Sequence, residues 1–310
     1  MKNPKDLKII FMGTPEFAAK ILEHLVTQNF NIAAVVSQPD KPFGRGKKLR
    51  PTPVKKIAAE NKIQLFQPGK MKEIYDDLEF IDPDIIITVA FGKILREKVI
   101  SMPKYGCWNL HTSLLPKYRG AAPMQRAIEN GEDETGISIF KIVKELDAGP
   151  IALKKKIKIE QNDNLEKVYD KLLEISKKSL EDFINNFENI KLTEQDHSKA
   201  TYANKISKDE MKLNFEDAEK THNKIRAFDP FPGTFALHKG KKVKLFGSKI
   251  YKTKVEGTSG KIVGLKNSDL LIETKNGVLK ISKIQFPGKK PMTGKDAFNG
   301  NLISENDILN

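Results

Sequence analysis

Three side chains in this sequence stand where a reaction can use them. Asn109 and His111 lie two apart in Gly106-Cys107-Trp108-Asn109-Leu110-His111, and Asp147 lies in Glu145-Leu146-Asp147-Ala148-Gly149-Pro150. Cys107–His111 reads as a strand, whose side chains alternate faces, so Asn109 and His111 point the same way at its C-terminal end. Ligands of open α/β sheets bind beyond that end of the strands. A side-chain amide can donate to a developing oxyanion. An imidazole can donate to the same oxygen or move a proton near neutral pH. Such a pair needs a base or an orienting carboxylate, and Asp147 offers one. Blander readings use the same residues. A buried Asn and His can satisfy backbone groups at a strand end, and Asp ahead of Gly is common in Asx turns. Spacing alone leaves both readings open.

Other chemistries find little support. Cys107 is the single cysteine, so neither an intramolecular disulfide nor a CxxC metal site can form. Placed on a strand with no basic neighbour in sequence, it reads as a packed thiol and not as a nucleophile. The five histidines, His24, His111, His197, His222 and His238, lack HxxxH or HxH spacing, so no metal is expected. Gly13-Thr14-Pro15-Glu16 matches neither phosphate-binding glycine pattern.

The elements that must hold these residues follow from apolar periodicity. Lys8–Met12, Ile32–Val36, Ile85–Ala90, Cys107–His111, Thr135–Val143 and Ile151–Ile159 read as strands, with Phe17–Val26 and Leu165–Phe187 as amphipathic helices and Pro15 at a first helical position. Strands alternating with helices predict a doubly wound, mostly parallel, Rossmann-like α/β sheet. From Lys191 to Lys208 the chain turns polar and loses periodicity, which reads as a linker. Phe215–Phe228 then reads as a helix. Five short strands follow, within 234–286, and suggest a small β-barrel. The expected organisation is a catalytic domain over 1–190, a linker over 191–207 and an OB-like β-barrel domain over 208–310.

Between the second strand and the next helix runs Ser37–Pro53, long for a connection in an α/β unit. It holds four prolines and two glycines, and its Lys41, Arg45, Lys47, Lys48 and Arg50 against Asp40 leave a net charge of +4. The whole chain of 310 residues carries +14, and residues 208–310 carry 20 basic against 12 acidic side chains. Loop and C-terminal segment thus hold nearly the whole surplus. Segregation of that kind points to a polyanionic partner. A single cysteine fits a reducing cytoplasm, and the start lacks the apolar core of a signal peptide. No apolar run approaches the ~20 residues that span a bilayer. A cytoplasmic protein without membrane contact is expected, and a monomer, since no heptad pattern is evident.

Several strings resemble one family. They are Phe11-Met12-Gly13-Thr14-Pro15-Glu16-Phe17-Ala18; Ser37-Gln38-Pro39-Asp40 with Gly44-Arg45-Gly46-Lys47-Lys48; Asn109-Leu110-His111-Thr112-Ser113-Leu114-Leu115-Pro116-Lys117-Tyr118-Arg119-Gly120; Leu146-Asp147-Ala148-Gly149-Pro150; Tyr202-Ala203-Asn204-Lys205-Ile206; Ile225–Gly233; and Gly288-Lys289-Lys290-Pro291-Met292. Nearly end to end, the chain resembles the methionyl-tRNA formyltransferases. The Asn-x-His and Leu-Asp-x-Gly strings mark 10-formyltetrahydrofolate formyltransferases as a class. The basic loop and second domain point to the tRNA member. Trp108, Thr112 and Phe231 depart from the usual pattern without removing a polar group.

The resemblance implies transfer of a formyl group from 10-formyltetrahydrofolate to the α-amino group of methionyl initiator tRNA. It implies Asn109, His111 and Asp147 as the catalytic set, with Asn109 and His111 on the oxyanion and Asp147 orienting His111. Ser113, Leu114, Leu115 and Pro116 would contact the folate, with Val89–Gly92 as a further wall. Arg45, Lys47, Lys48 and Arg50 would grip the acceptor stem, and the second domain the tRNA body. Two rivals remain open. A formyltransferase acting on an amino sugar or a purine precursor would not need the basic loop. A non-catalytic RNA-binding protein on the same scaffold would not need Asn109, His111 and Asp147.

Overall fold

The computed structural model describes residues 3–43 and 48–310. In chain order it runs β1 (Ile9–Gly13), α1 (Glu16–Thr27), β2 (Ile32–Val36), β3 (Lys41–Phe43), β4 (Lys48–Arg50), α2 (Pro53–Glu60), β5 (Leu65–Phe66), α3 (Tyr75–Ile81), β6 (Ile85–Val89), α4 (Glu97–Ile100), β7 (Cys107–His111), β8 (Arg119–Gly120), α5 (Pro123–Glu129), β9 (Glu134–Lys141), β10 (Ile151–Lys158) and α6 (Leu165–Asn186). There follow β11 (Tyr202–Ala203), α7 (Ala218–Ala227), β12 (Thr234–His238), β13 (Lys241–Thr253), β14 (Ile262–Lys266), β15 (Asp269–Thr274), β16 (Gly277–Gln285) and α8 (Gly294–Asn299).

Two compact units form. The first takes residues 1–121, 136–157 and 171–202, and the second takes 122–135, 158–170 and 203–310. The first is built on a sheet of order β10-β9-β7-β6-β1-β2-β5. Five of its strands are mutually parallel, while β9 runs antiparallel to β7. Every residue of β1 and β6 is buried, as expected of central strands covered on both faces. Ile10, Met12, Ala34, Val36, Ile86 and Cys107 pack into one core on a single face.

The expected elements form within a few residues, and the differences have local causes. Pro15 takes the cap position of α1 and not its first turn. The helix expected from Phe215 starts at Ala218, because Phe215 sits at φ 52° and Asp217 caps the helix by accepting from Lys220 N. The basic loop contains a two-stranded ladder, β3 against β4, with Lys41 opposite Arg50. Residues 191–202, read as linker, belong to the first unit. Thr193 there exchanges backbone hydrogen bonds with Ile151.

The second unit carries an antiparallel sheet of order β12-β13-β16-β15-β14 over a core of Phe215, Leu245, Ile262, Ile272, Ile281 and Leu309. Among the described residues no ladder joins β12 to β14, so the sheet itself does not close. The C-terminal segment touches both edges: Asn310 exchanges backbone bonds with Leu237, while Ile262 N donates to Asp307 O and Leu309 N to Gly260 O.

Candidate active site

Asn109 and His111 lie on β7, and each is fixed by a neighbour that folding supplies. Thr88 of β6 is the parallel partner of Asn109, and its Oγ1 donates to Asn109 Oδ1 at 2.7 Å. The amide is thereby oriented, and its Nδ2 has no protein acceptor among the described residues. It stands as an open N–H donor at the end of a buried strand. Trp108, on the opposite face, lies 4.9 Å from the Phe183 ring and donates from Nε1 to Tyr105 O. The bulk of Trp108 therefore falls against α6 and not against the Asn109 face.

His111 is 6% exposed. Its Nε2 lies 2.8 Å from Tyr118 O, and a carbonyl only accepts, so that nitrogen carries the proton. In the neutral ring Nδ1 then holds the lone pair, and it faces Asp147 Oδ2 at 3.8 Å. That separation exceeds a hydrogen bond. Contacts of this kind commonly tighten when substrate binds.

Asp147 reaches His111 by an indirect route. Because β9 is antiparallel to β7, Lys141 lies opposite Trp108, at the far end of β7 from His111. The chain after β9 folds back to bring Asp147 to the ring. Asp147 adopts φ 50°, a left-handed conformation that is uncommon outside glycine. Its Oδ2 accepts from Gly120 N at 2.8 Å. Two residues on, a Cβ at Gly149 would fall 1.8 Å from Lys141 O, so only glycine allows that close approach.

The Ser113–Pro116 segment is largely self-satisfied. Ser113 is buried and its Oγ donates to Lys117 O; Ser138 Oγ donates to Ser113 O and accepts from Leu115 N. Leu115 packs with Phe140 and Ile151. Only Leu114 and Pro116 keep partly exposed side chains. Beyond β6, Phe91 is buried in the core, whereas Ala90 is exposed at φ 47°. Gln38 Nε2 and Thr14 Oγ1 both donate to Phe91 O, tying the base of the basic loop to this turn.

Arg45 and Lys47 lie outside the described residues. Lys48 and Arg50 bound β4, and Arg50 is exposed. At the base of that hairpin Lys55 and Gln67 hydrogen-bond Asp40 and hold its carboxyl below the ordinary range. Cys107 Sγ donates to Val99 O, and burial pushes the thiol up to about 12. Among the described residues no group of three or more His, Cys, Asp or Glu is placed to hold a metal.

Sequence reasoning missed Gln195, which lies in the polar stretch read as linker. Only 5% exposed, it contacts Arg119, Asp147 and Gly149. It also missed the Tyr118 carbonyl and the Gly120 N–H, because backbone groups leave no trace in residue type.

Comparison with known proteins gives the class to which the chain belongs. Residues 7–184 match the family described as Formyl transferase, and residues 205–302 match Formyl transferase, C-terminal domain. A methionyl-tRNA formyltransferase from Kosmotoga olearia is 50% identical over 305 residues, covering 96% of this chain and 98% of that one. Another from Thermotoga maritima is 49% identical, covering 96% and 97%. The chain belongs to the formyl transferase family, within its methionyl-tRNA formyltransferase branch. Among solved structures, the sugar 3N-formyl transferase WlaRD is similar with a TM-score of 0.67 at 21% identity, over 92% of this chain and 99% of that one. HypX from Aquifex aeolicus, solved with tetrahydrofolic acid, gives 0.66 at 17% identity over 98% of this chain. This chain spans about half the length of that HypX chain.

Proposed function

We propose that this protein transfers the formyl group of 10-formyltetrahydrofolate to the α-amino group of methionyl initiator tRNA, giving the formylated initiator for translation. Two relatives of that name near 50% identity over almost the whole chain support the assignment. The observation that carries the chemistry is the open Asn109 Nδ2, fixed by Thr88 beside the His111–Asp147 pair.

Attack of the neutral amine on the formyl carbon creates a tetrahedral oxyanion. Asn109 Nδ2 donates to it, and such a donor is typically worth roughly 2.7–4 kcal/mol. His111, with Nε2 on Tyr118 O and Nδ1 toward Asp147 Oδ2, is assigned with Asp147 to the proton transfer. The amine must lose a proton as the new C–N bond forms, and folate N10 must gain one as its bond to the formyl carbon breaks. Asp147 stabilises the imidazolium that would hold this proton between the two events. No covalent intermediate is required, in keeping with the inert Cys107.

The folate is assigned to Leu114, Pro116 and the Ala90 turn, with the buried Ser113 and Leu115 as the internal frame of that wall. Arg45, Lys47, Lys48 and Arg50 are assigned to the acceptor stem. The domain over 208–310, read as OB-like with its edges joined through the C-terminal segment, is assigned to the tRNA body through phosphates. The enzyme acts as a monomer in the cytoplasm. The test is transfer of labelled formyl from 10-formyltetrahydrofolate to methionine-charged initiator tRNA, with glycinamide ribonucleotide and an amino-sugar nucleotide offered in parallel. Label on either small molecule and none on tRNA would overturn the reading.

A further inference from the structure

Gln195 has every hydrogen-bonding position of its amide engaged. Nε2 donates to Asp147 O at 2.9 Å and to Gly149 O at 2.7 Å. Oε1 accepts from Arg119 Nε at 3.2 Å and Nη2 at 2.7 Å. Rotating the amide by half a turn would set its NH2 against a guanidinium and its oxygen against two carbonyls. The orientation is therefore unique, and it specifies an amide: a carboxylate cannot donate to the two carbonyls.

Arg119 is 4% exposed, and its Nη2 also meets His197 Nδ1 at 3.1 Å. Its backbone N donates to Thr201 O, and the next residue, Gly120, donates its N–H to the Asp147 carboxylate. Asp147 is thus held twice. Gln195 grips the main chain of its turn, and the Arg119-Gly120 strand that Gln195 also grips holds its carboxylate. The left-handed φ of 50° at a non-glycine residue needs such support, because that conformation is costly on its own.

We infer that Gln195 is a positioning residue for the transfer, holding the Asp147 turn so that the carboxylate faces His111 Nδ1. The inference rests on the proposed role of Asp147. Misplacement by about 1 Å at a reacting centre can cost roughly a hundredfold in rate.

The experiment compares Gln195→Glu, Gln195→Met, Asp147→Asn and the double variant Gln195→Glu/Asp147→Asn in the formyl transfer assay, with thermal unfolding recorded for each. Gln195→Glu should lower kcat by about 10–100-fold, with KM for both substrates unchanged. Gln195→Met, which keeps the shape without adding a buried charge, should show a smaller loss of the same kind. In the Asp147→Asn background Gln195→Glu should add little, since the carboxylate it positions is gone. Unchanged kcat in both single Gln195 variants, or a full additional loss in the double variant, would overturn the inference. If Gln195→Glu does not fold, the KM-against-kcat split in Gln195→Met decides. An Asp147→Asn variant with full activity would instead overturn the catalytic reading, a separate failure.

Discussion

The strand-end site and the basic hairpin belong to the same unit, yet they are built in opposite ways. Asn109, His111 and Asp147 are each held by short contacts from neighbouring buried elements, and the pair His111 and Asp147 has side chains only 7% and 14% exposed. The hairpin of β3 and β4 presents Lys41 and Arg50 to solvent on a two-stranded ladder. Transfer chemistry needs atoms fixed against a changing charge, and dipoles already oriented by their neighbours supply that without reorganisation. Gripping a polyanion needs charge on display, and its strength comes from releasing counterions more than from exact geometry. One side of the comparison should respond to substitution in kcat, the other in tRNA affinity and salt dependence.

The largest effect tests the site. Asn109→Ala should lower kcat by about 10²–10³-fold with a small change in unfolding temperature. Near-normal turnover would remove the distinction between the two regions. Trp108→Leu sharpens it from the back of the same strand. The ring packs on Phe183 and not on the Asn109 face, so stability should fall by about 1–3 kcal/mol in urea unfolding, while kcat stays close to the parent value. Replacing Lys48 and Arg50 together by Ala should raise KM for tRNA and leave kcat alone. The slope of log affinity against log salt should become shallower by about 0.7–0.9 for each phosphate that the variant no longer neutralises. An effect confined to kcat would place those residues in the chemistry instead.

The smallest effect concerns pH and lies in the second unit. Ser207 N–H, Arg126 and the Ser207 hydroxyl hold Glu210 at about 2, against an ordinary value of 4.5. A lowered folded-state value means that the ionised form is stabilised. The contribution is complete above pH 4.5 and fades as pH falls through about 2. Glu210→Gln should therefore unfold slightly below the parent at pH 7, and the two melting temperatures should converge in acid. Glu210 is half exposed, so solvent screening keeps the difference small.

Much of the site was legible because period-two alternation puts Asn109 and His111 on one face wherever the strand forms. The Leu-Asp-x-Gly string marked Asp147 as a turn residue. Its approach to His111 was not legible, since that depends on β9 running antiparallel to β7 and on the chain folding back afterwards. Gln195 sits among polar residues that lack periodicity, so nothing local separates it from a solvated connector. The hairpin charge was plain in composition, whereas the β3–β4 ladder inside it was not, because prolines and glycines read as loop. Likewise the five strands of the second unit were visible, but not the C-terminal segment touching both edge strands.

What the sequence determined by itself was the inventory and its local geometry: strand against helix, which residues share a face, where the charge is concentrated, and the family. These follow from steric periods and side-chain chemistry acting over a few residues. Tertiary structure alone decided which nitrogen of His111 holds a proton, which end of the Asn109 amide is free, and what supports Asp147. Those outcomes are set by the Tyr118 carbonyl, the Thr88 hydroxyl, the Gly120 N–H and the Gln195 amide. A hydrogen bond depends on positions to a few tenths of an ångström, and folding brings these groups together from parts of the chain as far apart as Thr88 and Gln195.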